Sequence, residues 1–252
     1  MTLTEGLKQA QRLRLLRPLD VQFAQMVATA EQPALMLAAA LVSRDAGEGH
    51  VCLPLDQLHP EAFFAGRHPE LAQALWQAAG APQDWADTLL AQTAVSNGES
   101  ATPLVLHQQR LYLHRMWQSE GEVAQFVQRQ QHAVALDEAQ VRQTLDRYFG
   151  QQPDDWQKIA AAVALTRQVA VISGGPGTGK TTTVAKLLAS LIELSVTAPR
   201  IELAAPTGKA AARLTESLGK TLQELTLDEE IRSRFPTEAT TLHRLLGARP
   251  GS

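Results

Sequence analysis

The chain has 252 residues, 44% of them hydrophobic and 19% charged, with a formal net charge of −3. That suits one large domain or two small ones, and supplies enough apolar residues for a real core. No run of about 18 or more apolar residues occurs, which excludes a membrane-spanning helix. A single cysteine, Cys52 between Val51 and Leu53, excludes an internal disulfide framework and a cysteine-based zinc site.

Met1 to Asp20 carries basic residues without an apolar signal region or a small-residue cleavage site, so a cytoplasmic protein is expected. The charge is uneven. Residues 1–150 hold 11 basic and 16 acidic residues, and residues 151–252 hold 12 and 10. The second part is the better candidate for polyanion contact.

Residues 1 to about 100 read as helices. Leu19 to Val27 has apolar residues at helical spacing, and Pro33 opens a helix over Ala34–Val42 that is apolar on nearly all sides and therefore central to a small core. Arg44 to Gly49 is expected to break it. Pro69–Ala79 and Asp84–Ala94 follow as helices, with Trp76 and Trp85 as core residues. The period then changes to two. Leu104–Leu106 and Leu111–Leu113, joined by four residues, predict a β-hairpin. His107 and His114 flank it without a third ligand at metal-binding spacing. Helices are expected over Glu122–Gln131 and Asp137–Tyr148. The stretch Gly150 to Asp155 is the best linker, which predicts an N-terminal domain over 1–110, a connector over 111–150 and a second domain over 151–252.

The second domain reads as helix (Trp156–Thr166), strand (Val169–Ile172), loop, helix (Lys180–Leu194), strand (Arg200–Ala205), loop, helix (Ala210–Leu218). That is a βαβ unit of a parallel sheet. Between its first strand and helix stands Gly174-Gly175-Pro176-Gly177-Thr178-Gly179-Lys180-Thr181-Thr182, a phosphate-binding P-loop in strand–loop–helix context. Triphosphate charge is held there by backbone N–H groups in a concave nest. Glycines allow close approach, Pro176 stiffens the loop, and the following helix aims its positive end at the phosphates. Lys180 supplies a point charge for the β- and γ-phosphates, as the catalytic cation, and Thr181 offers a hydroxyl to Mg²⁺. The expected cofactors are ATP and Mg²⁺.

Three further features gain weight together. Gln157 stands 23 residues before Lys180; its amide suits paired hydrogen bonds to adenine, or equally a capping box with Asp154 at the N-cap. Pro206-Thr207-Gly208-Lys209 follows the second strand, where ligands of parallel sheets bind. It suits either a phosphodiester backbone or an ordinary strand-to-helix turn, and it is expected on the same edge as the P-loop. Thr241-Leu242-His243-Arg244-Leu245-Leu246-Gly247 is a Thr-capped helix start.

The set of Gln157, the 174–183 loop, Ala205 to Leu214 and Thr241 to Gly247 resembles superfamily-1 DNA helicases of the RecD family. Arg17-Pro18-Leu19-Asp20, the stretch from Asp45 to Leu55, and Leu111 to Trp117 extend the resemblance over essentially the whole chain. The resemblance implies an ATP-driven 5′→3′ single-stranded DNA translocase, the alpha subunit of exonuclease V. Such a subunit works with RecB and RecC in recombinational double-strand-break repair and docks on RecC through its N-terminal helical region. It places Gln157 at adenine, Lys180 and Thr181 at phosphate and Mg²⁺, and Pro206, Thr207, Gly208, Lys209 and His243 near single-stranded DNA. The implied fold is α/β, a mostly helical N-terminal domain followed by an incomplete RecA-like P-loop domain with a parallel sheet. The family pattern continues with a strand ending in Asp-Glu and, in a later motor domain, an arginine finger. Neither motif is present here, and Asp228-Glu229-Glu230 reads as a solvated helix face. The chain is therefore expected to stop before the Asp-Glu motif. The alternative is a catalytically inactive fragment that binds nucleotide and docks on protein.

Overall fold

The computed structural model describes residues 1–130, 133–152 and 154–248. Contacts divide the chain into two compact units, Met1–Phe126 and Val127–Ser252.

The first unit is built on helices with strong start signals. Helix α1 (Leu3–Arg12) begins at Thr2, whose hydroxyl accepts from Glu5 N at 3.3 Å while the Glu5 carboxylate accepts from Thr2 N at 2.8 Å. Helices α2 (Pro18–Val27), α3 (Pro33–Gly47) and α4 (Pro69–Ala78) each open with proline, whose missing N–H costs nothing in the first turn. Leu35 to Ser43 of α3 is buried without interruption, which places this helix at the centre of the core as its all-round apolar sequence predicts. The helix outlasts the expected end at Val42 and stops within the Arg44–Gly49 stretch expected to break it. The helix runs on to Gly47, with Arg44 bridging to Glu48 at 3.0 Å across one turn, and the chain leaves at Gly49 with φ +95°.

Helix α5 is shorter than expected, Trp85–Leu90, because the chain turns there into a strand. Trp85 is buried and its Nε1 donates to the Leu58 carbonyl at 2.7 Å. A four-stranded sheet with order β1-β4-β3-β2 lies against the helices, from β1 (Leu53–Pro54), β2 (Val95–Ser96), β3 (Leu104–His107) and β4 (Arg110–Leu113). The hairpin β3–β4 is tighter than expected. His107 pairs with Arg110, and Gln108 and Gln109 form a two-residue turn with φ of 47° and 61°. Helix α6 (His114–Arg129) follows β4 directly, starting earlier than expected; Gln131 lies outside the described residues.

In the second unit, α7 (Glu138–Phe149), α8 (Trp156–Thr166) and α9 (Lys180–Leu194) pack on one another. Val141, Leu145, Ala161 and Leu165 form their buried centre. The expected boundary at 150–155, of which Pro153 is outside the described residues, falls after α7, whereas α7 packs with the helices that follow it. Strands β5 (Leu203–Ala205) and β6 (Ala239–Thr241) pair in parallel through α10 (Gly208–Glu224) and α11 (Glu229–Ser233), and α12 (Leu242–Leu245) ends the described chain.

This makes the fold α/β, with one correction inside it. Val169–Ile172 is not a strand. A parallel strand gains its ladder only from a neighbour. Among the described residues β5 and β6 take each other and none pairs with this run, leaving Val171 82% exposed. The βαβ unit of the structure is therefore β5–α10–β6. No helix among the described residues is long and apolar enough to cross a membrane.

Candidate nucleotide site and polyanion edge

The loop between α8 and α9 is shaped by its glycines. Gly177 and Gly179 have φ of +76° and +77°, a region that side chains rarely adopt. A Cβ on Gly179 would lie 2.7 Å from Gln157 Nε2, and one on Gly174 would lie 2.7 Å from Thr178 Oγ1. Pro176 and Gly177 form the exposed turn at the tip, after the exposed Gly175. Thr178 Oγ1 donates back to the Gly175 carbonyl at 2.9 Å and holds the loop curled.

Lys180 lies inside this curl. As the first residue of α9 it folds its Nζ back onto the carbonyls of Gly174 and Gly175, both at 2.6 Å. A cation is thus held at the mouth of a helix N-terminus, where the first N–H groups have no partner within the helix. Cation, dipole and glycine cradle converge on one spot, and the arrangement fits an anionic phosphate chain. Thr181 and Thr182 follow in the first turn, half-buried. The Thr181 hydroxyl is an oxygen of the kind that Mg²⁺ takes. Thr183, included in the 174–183 stretch without a role, is buried and donates to the Gly179 carbonyl at 3.0 Å, tying the helix start to the loop.

Gln157 is brought to the loop. Its Nε2 donates to the Thr178 carbonyl at 3.2 Å, across 21 residues of sequence. The helix cap is Asp155, not Asp154. Asp155 Oδ1 accepts from Gln157 N at 2.9 Å and Lys158 N at 3.4 Å. With the cap one residue later, Gln157 leaves the capping-box position and is free to bridge to the P-loop. Asp154 instead carries φ +61°.

The second set of candidate residues meets at the end of the parallel pair. Ala205 is in register with Thr241, so the segments leaving β5 and β6 emerge side by side. Thr207 caps α10, accepting from Ala210 N at 3.2 Å, and Thr241 caps α12, accepting from Arg244 N at 3.2 Å. Pro206, Thr207, Gly208, Lys209 and His243 are all exposed there. Beside these helix starts lies a cleft of about 480 Å³, whose lining includes Gly208, Thr215, Thr240, Thr241 and Arg244 together with the carboxylates of Glu216 and Glu238. Thr240 Oγ1 is buried with no hydrogen-bond partner. Arg244, which stands in the Thr241–Gly247 motif without an assigned role, lines the cleft. The expectation of one shared edge with the P-loop is not met through a sheet. Val169–Ile172 does not pair with β5, and the loop's helix α9 reaches this region by packing on α10.

Two family models match. One is the N-terminal domain of the RecBCD enzyme subunit RecD, over residues 12–112, and the other is an AAA domain over residues 157–252. The RecBCD enzyme subunit RecD of Buchnera aphidicola (subsp. Acyrthosiphon pisum) is 34% identical over 96% of this chain and 40% of its own length. That of Mycolicibacterium smegmatis is 40% identical over 94% and 41%. The ATP-dependent RecD2 DNA helicase of Deinococcus radiodurans is 43% identical over a third of this chain. The chain thus spans about 40% of the length of the RecD subunits it matches. Aligned along nearly its whole length with these subunits and carrying both domain signatures in order, the chain is similar to the N-terminal portion of RecD.

Proposed function

We propose that this chain forms the nucleotide-holding, DNA-gripping part of a RecD-type helicase subunit. The single observation that carries the reading is the P-loop: Lys180 Nζ, 2.6 Å from two loop carbonyls, lies in a glycine cradle at the start of α9. In this reading Gly174 to Thr182 hold the phosphates of ATP, Thr181 contributes to Mg²⁺, and Gln157 faces adenine. Lys180 neutralises charge on the transferred phosphate. Pro206, Thr207, Gly208, Lys209 and His243 grip the backbone of single-stranded DNA, with Arg244 beside them. The capped helix starts offer N–H groups to phosphates without reading sequence. The family likeness supports assigning the intact subunit to an ATP-dependent, 5′→3′ moving RecBCD exonuclease V in the cytoplasm. RecB and RecC would be its partners in recombinational double-strand-break repair, and residues 1–110 the RecC-docking domain. Residues 111–150 would connect it to the motor domain from residue 151.

A second reading has its own support. Asp228, Glu229 and Glu230 stand exposed at the start of α11, with Glu230 paired to Arg234. Such a chain would hold nucleotide without turning it over, and act as a binding and docking module.

Nucleotide binding and hydrolysis by the 252-residue chain, with and without single-stranded DNA, separate the readings. Lys180→Ala is expected to weaken ATP binding by about 10–100-fold, the worth of a charge-assisted hydrogen bond. DNA-stimulated turnover supports the motor reading, and binding without turnover the module. Unchanged ATP affinity in Lys180→Ala would sink both.

A further inference from the structure

We propose that Trp156 provides a stacking face for the nucleobase of the triphosphate, an assignment that rests on reading the P-loop as a triphosphate site. The first turn of α8 touches that loop through Gln157. Gln157 Nε2 reaches the Thr178 carbonyl at 3.2 Å and lies 2.7 Å from where a Cβ on Gly179 would stand. Asp155 fixes the turn by accepting from Gln157 N and Lys158 N. Lys158 is drawn to the other side, where it pairs with Asp146 and donates to the Gly150 carbonyl at 2.7 Å. Residues on a helix are spaced by about 100°, so Trp156 flanks Gln157 on the side away from Lys158. It also faces away from the buried Ala161 and Leu165.

The indole is 78% exposed, more than any other aromatic side chain among the described residues. A large apolar ring held in water next to a phosphate cradle is an open platform for a flat, apolar-faced group. The base of a nucleoside triphosphate is such a group, tethered to the phosphates that the loop holds. Stacking on an aromatic ring is tolerant of base identity, since every base has a π-face. Trp156 therefore strengthens binding of ATP and GTP alike, and choice between them falls to the hydrogen-bonding amide of Gln157.

Binding of ATP, GTP and inorganic tripolyphosphate to the 252-residue chain tests this, with Trp156→Ala, Trp156→Phe and Lys180→Ala. Tripolyphosphate has the charge and lacks the base. Trp156→Ala is expected to lose about tenfold in affinity for ATP and GTP, the scale of one base–aromatic stack, and to keep its affinity for tripolyphosphate. Trp156→Phe keeps most of the nucleotide affinity, and Lys180→Ala weakens binding of all three ligands by about 10–100-fold. ATP, but not tripolyphosphate, quenches tryptophan fluorescence in the unmutated chain, and Trp156→Phe removes the quench although Trp76, Trp85 and Trp117 remain. Equal ATP affinity in Trp156→Ala overturns the proposal, as does an equal loss of tripolyphosphate, which marks a structural role. If Lys180→Ala leaves tripolyphosphate binding unchanged, the P-loop reading fails, whatever Trp156 does.

Discussion

Asp20 is fully buried and carries a carboxylate into the core of the first unit. Its oxygens accept from Arg17 N at 2.8 Å, Arg17 Nε at 3.1 Å, Arg17 Nη2 at 2.6 Å and Ser43 Oγ at 2.8 Å. Arg17 Nη2 also donates to the Ser43 carbonyl at 2.8 Å, so the pair staples the start of α2 to the last turns of α3. A Cβ on Gly47 would lie 1.9 Å from the Arg17 guanidinium, which explains glycine there. Removing one partner of such a network leaves buried donors unpaired. Arg17, half in water, can recover its hydration, which lowers the cost. Asp20→Ala is expected to destabilise the first unit by about 2–3 kcal/mol, measured by urea unfolding. A change below about 0.5 kcal/mol, the scatter of ordinary surface substitutions, would show that the network contributes nothing net. The sequence drew notice to Arg17-Pro18-Leu19-Asp20 only through family likeness; its physical reason needs Ser43 and Gly47, some 25–30 residues on, which no local pattern shows.

Helix α9 is held at both ends by different chemistry. Its start is the P-loop. Its far end, at Glu193, receives Arg147 Nη1 at 2.7 Å, Tyr148 Oη at 2.9 Å and Thr144 Oγ1 at 3.3 Å, all from α7, and Lys186 lies 5.1 Å over the Phe149 ring. Burial, then the hydrogen bond to Glu193 and its charge, push the Tyr148 phenol well above its ordinary range. Tyr112 in the first unit is pushed up to about 12, by burial first and then by Cys52 and Glu120. These are the two tyrosines of the chain. A phenol pKa raised by folding gives stability that is complete below the unfolded value of about 10 and is lost as pH rises toward the folded value. The folded chain should therefore show almost no phenolate absorbance near pH 10, and unfolding free energy should fall as pH rises from about 10 to 12. Tyr148→Phe should reduce that fall and Tyr112→Phe should reduce it separately. A tyrosine titrating normally in the folded chain would contradict this account.

Legibility in the sequence also divides at the level of elements. Helices α3, α8 and α9 were readable because their periodicity and end signals are local. The hairpin was readable as a hairpin, but its turn was not. Gln108 and Gln109 carry positive φ without the glycine or asparagine that announces such a turn. Val169–Ile172 shows the opposite failure. Its β-branched composition is right for a strand, but pairing is a property of neighbours, and composition cannot supply one. In the candidate site, the loop of Lys180 and its glycines shows in the sequence as a local pattern at fixed spacing, and Gly177 and Gly179 take the positive φ that such a turn needs. The bridge from Gln157 to Thr178 depends on which aspartate caps α8; the capping-box reading put the cap at Asp154, and the structure has it at Asp155.

The two units differ in how their interiors are made. Of the largest fully buried side chains, Phe63, Phe64, Leu7, Leu35, Leu37, Leu58, Leu75, Leu89, Leu104, Leu111 and Val42 belong to the first unit, and Ile192 alone to the second. Among the described residues the first unit has one continuous core, whereas the second has three small clusters around α7–α9, around Ile192 and Phe235, and around Ala205 and Ala239. Burial of large apolar side chains is the main favourable term in folding, at about 1.5–3 kcal/mol each. The second unit should therefore open at lower free energy. Native-state hydrogen exchange on the whole chain reads this directly, because each amide reports the opening of its own segment. Amides of α3 should outlast those of α8 and α9 by well over tenfold. Adding ATP with Mg²⁺ should slow exchange in α9 and in the first turn of α8 by up to the factor that ligand binding adds to the folded form, about a hundredfold at a hundred times Kd. Amides of α3 should stay unchanged, since ligand held by one unit stabilises only the openings that release it. Protection rising equally in both units would mean that they open together, and that the division seen in their cores is not a division in their stability.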